Sequence, residues 1–104
     1  MILVRRAYPI QIAVNGIHLS RVVIDPHYEI KHRSSVSDEL ILELVVQLDQ
    51  ESVFPDSTDD RGFRYFTSDL WTRGKYYRLV WLLPPSGNYL GVVNAYRRRY
   101  GRNG

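Results

Sequence analysis

Apolar positions recur along this chain in two rhythms, and each change of rhythm predicts a change of element. Tyr8 to Val14 and Ile17 to Ile24 are β-rich runs, and Asn15-Gly16 stands between them. That dipeptide predicts a hairpin, because a type I′ turn needs positive φ at both central residues. Asp25-Pro26 ends the second run and also has the form of an N-cap followed by proline at the first helical position. A short helix through Arg33 and an irregular link both fit the residues after it. The spacing then becomes helical. Leu40, Ile41, Leu44, Val45 and Leu48 form one stripe, predicting the main helix over about 36–50 with Ser35 or Ser37 as its cap. Asp38, Glu39 and Glu43 sit toward the positive end of its dipole.

Pro55, Asp56, Ser57, Asp59, Asp60 and Gly62 mark residues 51–62 as a polar loop. Three further runs, Phe63 to Leu70, Lys75 to Leu83 and Tyr89 to Arg98, read as strands. Arg73-Gly74 and Pro84-Pro85-Ser86-Gly87-Asn88 separate them as tight turns, so they should pair antiparallel. The expected fold is α+β. An antiparallel sheet, built from the N-terminal hairpin and the C-terminal meander, carries one main helix and an optional short second helix on one face. With Ser86-Gly87 at the centre of the last turn, Trp81 opposes Val92, Leu79 opposes Asn94 and Tyr77 opposes Tyr96. On the other face Val80 opposes Val93, Arg78 opposes Ala95 and Tyr76 opposes Arg97. A slip of one residue would exchange the two faces.

At 104 residues the chain has the length of one domain, 1–104, with flexible ends expected at 1–7 and 99–104. Hydrophobic residues at 44% and charged residues at 24% describe a globular, soluble chain. The absence of cysteine excludes disulfides, cysteine-ligated zinc, iron–sulfur clusters and thiol catalysis. No apolar run reaches the length of a membrane span, and Met-Ile-Leu-Val before Arg5 and Arg6 lacks the form of a signal peptide. A cytoplasmic protein is the expectation.

Charge is laid out unevenly. Residues 38–60 carry eight of the eleven acids and no Lys or Arg. The rest of the chain carries all fourteen basic groups against Asp25, Glu29 and Asp69, so a −8 segment is set inside a +11 body. A body this basic attracts polyanions, and nucleic acid is the commonest of them. The acidic stretch itself reads as the solvated face of a helix and its loop.

Two constellations carry candidate chemistry. At the far end of the last hairpin Tyr76, Tyr77, Arg78, Asn94, Tyr96 and Arg97 gather, followed by Arg98 and Arg99. Arginine offers a phosphate fork, tyrosine a stacking plane and asparagine a base-edge donor and acceptor. Ordinary cross-strand pairing and solubilising charge account for the same residues equally well. The second group is His27, Lys31, His32 and Arg33 on the short segment before the main helix. Histidine can move a ribose hydroxyl proton near neutral pH, and neighbouring cations can hold phosphate charge. A surface helix with idle histidines is the simpler account of either histidine alone. Metal binding fits poorly. His27 and His32 point to different sides of a helix, and the acids at 56, 59 and 60 lack a calcium-loop pattern.

Taken together, three segments make the chain resemble the RelE/ParE-like toxins, within the wider barnase–EndoU–RelE-like group of small ribonucleases. They are the helical segment with His27, Lys31 and His32 before Leu40-Ile41-Leu42-Glu43-Leu44, the strand Tyr76-Tyr77-Arg78-Leu79-Val80-Trp81, and the closing strand Gly91 to Arg98. The resemblance covers about residues 17–100, and the hairpin at 8–24 departs from it. It implies a metal-independent endoribonuclease that needs no cofactor and cuts by 2′-hydroxyl attack. His32 or His27 would be the base, with the other or Tyr96 near the leaving group. Arg78, Arg97 and Lys31 would hold the phosphate, Tyr77 and Asn94 would engage a base, and Arg98 and Arg99 would contact the nucleic acid. The implied partners are RNA, free or on the ribosome, and an acidic antitoxin added at a sheet edge. The alternatives are a module that docks on nucleic acid or inhibits a partner enzyme such as gyrase without catalysis, and an assembly protein that pairs through its hairpin.

Overall fold

Asn15 and Gly16 adopt φ of 53° and 75°, the two positive values that the predicted hairpin turn demands. They join β1 (Arg6–Val14) to β2 (Ile17–Ile24) in an antiparallel ladder. The computed structural model that shows this describes residues 4–99. The outermost parts of the expected flexible ends, 1–3 and 100–104, lie outside the described residues. Arg6 and Ala7, expected in the flexible N-terminal end, already belong to β1.

After β2, Asp25 accepts a hydrogen bond from the His27 N–H and Pro26 takes the first helical position, as their chemistry favours. A 3₁₀ turn, Pro26–Tyr28, leads into the single-turn helix α1 (Glu29–His32). The main helix α2 (Asp38–Val45) starts at Ser37, whose Oγ accepts the Leu40 N–H at 3.2 Å. It is shorter than 36–50, because its last turn tightens into a 3₁₀ segment, Val46–Leu48, and Gln50 adopts a φ of 69°. A two-residue strand β3 (Ser57–Thr58) lies within the expected polar loop, followed by β4 (Arg64–Thr72), β5 (Lys75–Leu83) and β6 (Leu90–Arg98).

The six strands are ordered β1-β2-β6-β5-β4-β3. The sheet is mixed, a correction to the antiparallel expectation, because β2 and β6 run parallel. A parallel pair needs a long crossover, and the chain supplies one. It leaves β2 through both helices, reaches the far side of the sheet, and then winds inward so that β6 comes to rest beside β2. Val22, Val23 and Ile24 pair with Leu90, Gly91 and Val92, after which the Asp25 N–H donates to the Val92 carbonyl at 2.9 Å.

One face of the sheet is packed. Leu40, Ile41, Leu44, Val45 and Leu48 are buried in a single cluster with Val14, Leu19, Val22, Ile24, Leu79, Leu83 and Leu90. Phe66 stacks on Trp81 with ring centroids 4.1 Å apart, and the Trp81 indole N–H donates to Ser68 Oγ at 3.0 Å. Each such fully buried Leu or Phe contributes roughly 1.5–3 kcal/mol relative to exposure. The other face carries Tyr65, Thr67, Asp69 and Trp71 from β4 beside Tyr76, Arg78, Val80 and Leu82 from β5, all half-buried or exposed.

The register of the last hairpin matches expectation near its turn and departs beyond it. Trp81 opposes Val92 as expected, but Val80 then opposes Asn94, so Val93 is an extra residue in a β-bulge. Past the bulge, Leu79 opposes Ala95, Arg78 opposes Tyr96 and Tyr77 opposes Arg97. The expected partners shift by one place, and Ala95 takes the buried face while Asn94 and Tyr96 move to the open one.

Candidate functional site

The site is assembled where β2 stops pairing with β6. The chain turns there into the segment leading to α1, which runs alongside the remaining length of β6 and brings His32 against Tyr96. Their rings stack with centroids 5.3 Å apart and planes inclined by 30°. His32 is half-buried. Tyr96 stands directly across from Arg78 in the β5–β6 ladder, a position that depends on the bulge at Val93.

Arg78 is held on its other side by Asp69, its cross-strand partner on β4. The guanidinium makes a two-pronged contact, Nε to Oδ1 at 2.8 Å and Nη2 to Oδ2 at 2.9 Å. Hydrogen bonding to Asp69 raises the guanidinium further above its ordinary range. This outweighs the opposing effect of burial, and the Tyr96 hydroxyl adds a smaller contribution of the same sign. A guanidinium has five N–H donors, so the two taken by Asp69 leave others for Tyr96 and for an incoming oxyanion. A row Asp69–Arg78–Tyr96–His32 therefore crosses the open face from β4 to α1.

The remaining residues named from sequence are distributed around this row. Asn94 lies on the same face, opposite Val80, with its side-chain oxygen accepting the Ala95 N–H at 2.9 Å. Lys31 and Arg99 are exposed, Arg98 is half-buried opposite Tyr76, and Arg97 is exposed but stands opposite Tyr77, which the bulge puts on the other face of the sheet from Arg78 and Tyr96. His27 is exposed beside the Asp25 cap. Tyr77 is misplaced by the sequence reading. It lies on the packed face with 4% of its surface exposed, so its ring belongs to the core and offers no plane to a base.

Sequence reasoning passed over Asp69 as a member of the site. Its signal was present in the Arg73-Gly74 turn, whose tight register puts Asp69 across from Arg78. The acidic stretch is more than the solvated face expected of it, since several of its acids hold the structure together. Asp38 accepts hydrogen bonds from Arg6, Tyr8 and Tyr28, while Arg6 also reaches Glu29 at 3.1 Å. Those donors, Arg6 foremost, lower the Asp38 carboxyl to about 2. Burial, and then the bond to Asp38, push the Tyr28 hydroxyl up. Glu43 receives Thr72 and Arg73, and Asp49 accepts the Ala13 N–H at 2.8 Å. Asp59 gathers the backbone N–H groups of Arg61 and Phe63 and the Tyr65 hydroxyl.

Among the described residues no cluster of His, Asp and Glu has the grouping a metal ion would need, and no helix is long and apolar enough to cross a membrane. No protein-family model matches the chain, and no curated protein or solved structure matches it either.

Proposed function

We propose that the protein is a metal-independent endoribonuclease of toxin type, acting at the open sheet face around His32, Tyr96 and Arg78. The observation that carries this reading is the stack of His32 on Tyr96 beside the anchored Arg78 guanidinium. It puts a titratable imidazole, a phenol and a fixed cation within one neighbourhood. In the reaction, His32 takes the proton of a ribose 2′-hydroxyl as its oxygen attacks the adjacent phosphorus. The bond from phosphorus to the 5′-oxygen breaks, leaving a cyclic phosphate and a 5′-hydroxyl once Tyr96 or His27 has supplied a proton. Arg78 and Lys31 stabilise the charge growing on the phosphate, and Asn94 meets a base edge. His32 is preferred to His27 as the base because its ring is held in place, whereas His27 is exposed.

An acidic partner that covered this face would silence it. The sheet edges suit strand addition less well. β3 is two residues long, β1 contains Pro9, and the N–H and C=O of Ala13 are already taken by Asp49 and Gln50.

The test is cleavage of single-stranded RNA by the purified protein in excess chelator, comparing wild type with His32→Ala, His27→Ala and Arg78→Ala. The expected result is cleavage that survives the chelator and falls by about 10²–10⁴-fold in His32→Ala, with a smaller loss in His27→Ala. Binding of RNA with no cleavage by any form would favour the second reading, a docking module without catalysis. The two-pronged Asp69 contact on Arg78 weighs in that direction, because it leaves fewer N–H groups to stabilise a phosphate in the transition state, a demand that docking does not make.

A further inference from the structure

The open face continues beyond this row into a groove that the ribonuclease reading does not use. The groove has a volume of about 320 Å³ and is lined by Phe63, Tyr65 and Tyr89, with Leu82 and Gly91 in the sheet between them and Arg61 among its polar residues. It lies on the same face as Arg78. Leu82 and Arg78 are four residues apart on β5, which at ~3.3 Å per residue separates them by about 13 Å.

Three features suggest that the groove is built for a flat ring. Gly91 is the second residue of β6 and has no positive φ, so conformation does not require glycine there. A Cβ at that position would meet Leu82 Cδ1 at 2.9 Å and Tyr89 Cε2 at 3.5 Å. The Leu82 side chain lies over the bare backbone of Gly91, and together they give the groove a low apolar floor beside Tyr89. Secondly, Asp59 fixes the aromatic wall by binding the Phe63 N–H, the Arg61 N–H and the Tyr65 hydroxyl at 3.0–3.1 Å. Thirdly, arginine stacks on the aromatic rings. Arg61 lies 4.7 Å from the centre of the Phe63 ring and Arg21 lies 5.7 Å from that of Tyr89. Arg5 borders the same groove in a 3.6 Å pair with Asp25 that is largely solvent-exposed and so exchanges easily for another anion.

We infer that this groove is a second subsite for single-stranded RNA, in which a base stacks against Tyr89 or Phe63 while Arg5 and Arg61 hold the flanking phosphates. The inference rests on the proposed action of the face on RNA, and it adds a direction to it. The strand lies across β6 and β5 from the His32–Tyr96 row toward Tyr89. Aromatic planes interleaved with arginines suit single strands, whose bases are free to stack. A duplex keeps its bases buried and would not enter.

The experiment measures binding by fluorescence anisotropy, with RNA made uncleavable by 2′-O-methyl groups. A dinucleotide and an octanucleotide are compared on wild type, Tyr89→Ala, Phe63→Ala and Arg61→Ala, each checked for folding by its melting transition. The expected result is that the octanucleotide binds wild type more tightly than the dinucleotide does. Tyr89→Ala or Phe63→Ala should weaken the octanucleotide by about tenfold and leave the dinucleotide within about twofold. Folded variants that all bind the octanucleotide like wild type would overturn the groove and leave the ribonuclease reading standing. Groove-dependent binding by a wild type that cuts no unmodified RNA would support the groove and sink the catalytic reading. Wild type that binds neither oligonucleotide would overturn the subsite itself, and a protein ligand for the groove would replace it.

Discussion

At the scale of single residues, Asp38 carries more of the structure than its place in an acidic stretch suggests. Its side chain is 16% exposed and receives Arg6, Tyr8 and Tyr28 at once, tying β1, the segment before α1, and the start of α2 together. Its carboxyl is lowered from 3.8 to about 2. A depressed folded value means that stability is fully present above the unfolded value and is lost as pH falls through the folded one. The contribution amounts to about 2 kcal/mol and should fade between roughly pH 5 and pH 2. Urea unfolding across that range should show Asp38→Asn less stable than wild type at pH 6, with the difference shrinking toward pH 2.5. A constant difference would mean that the carboxylate charge is not what the network uses.

At the scale of elements, two positions test whether α2 is held by its cap and its stripe. Ser37→Ala removes the acceptor for the Leu40 N–H and should cost about 1 kcal/mol in chemical denaturation. Leu44→Ala leaves a cavity against the packed face of the sheet and should cost about 3 kcal/mol. These elements were legible because helix stripes, caps and Asn-Gly turns depend on neighbours in sequence. The hairpin residues, Ser37 and the Trp81–Val92 pair all followed from such rules. The bulge did not. Nothing local to Val92-Val93-Asn94 distinguishes an extra residue from a regular pair, and the choice falls to burial, which favours Ala95 inside and Tyr96 outside. The parallel contact of β2 with β6 was hidden for a similar reason, since it joins residues that no turn connects. The same long-range pairing places His32 against Tyr96, so the two could be named from sequence as candidates without being seen as neighbours.

At the scale of the whole molecule, the uneven charge of the sequence becomes a set of cross-ties. Acids at 38, 43 and 59 bind Arg6, Arg73 and Arg61, which draws the acidic segment and the basic body together. On the open face Asp69 pairs with Arg78, and on the reading proposed above it would weaken the hold of that face on RNA. Asp69→Asn should raise affinity for single-stranded RNA and steepen the dependence of log K on log salt by about one unit. An unchanged slope would mean that Arg78 lies outside the nucleic-acid footprint. The Asn15 side chain makes a different kind of tie. Its carboxamide donates to the Val53 carbonyl and accepts the Val53 N–H, standing in for one more residue of backbone ladder. Residues 51–55, which have no helix or strand of their own, therefore borrow the protection of the hairpin. Hydrogen–deuterium exchange would make this visible. Asn15→Gly keeps the positive φ that the turn needs, yet it should let the Val53 amide exchange at the rate of open coil while the amides of β1 and β2 stay slow.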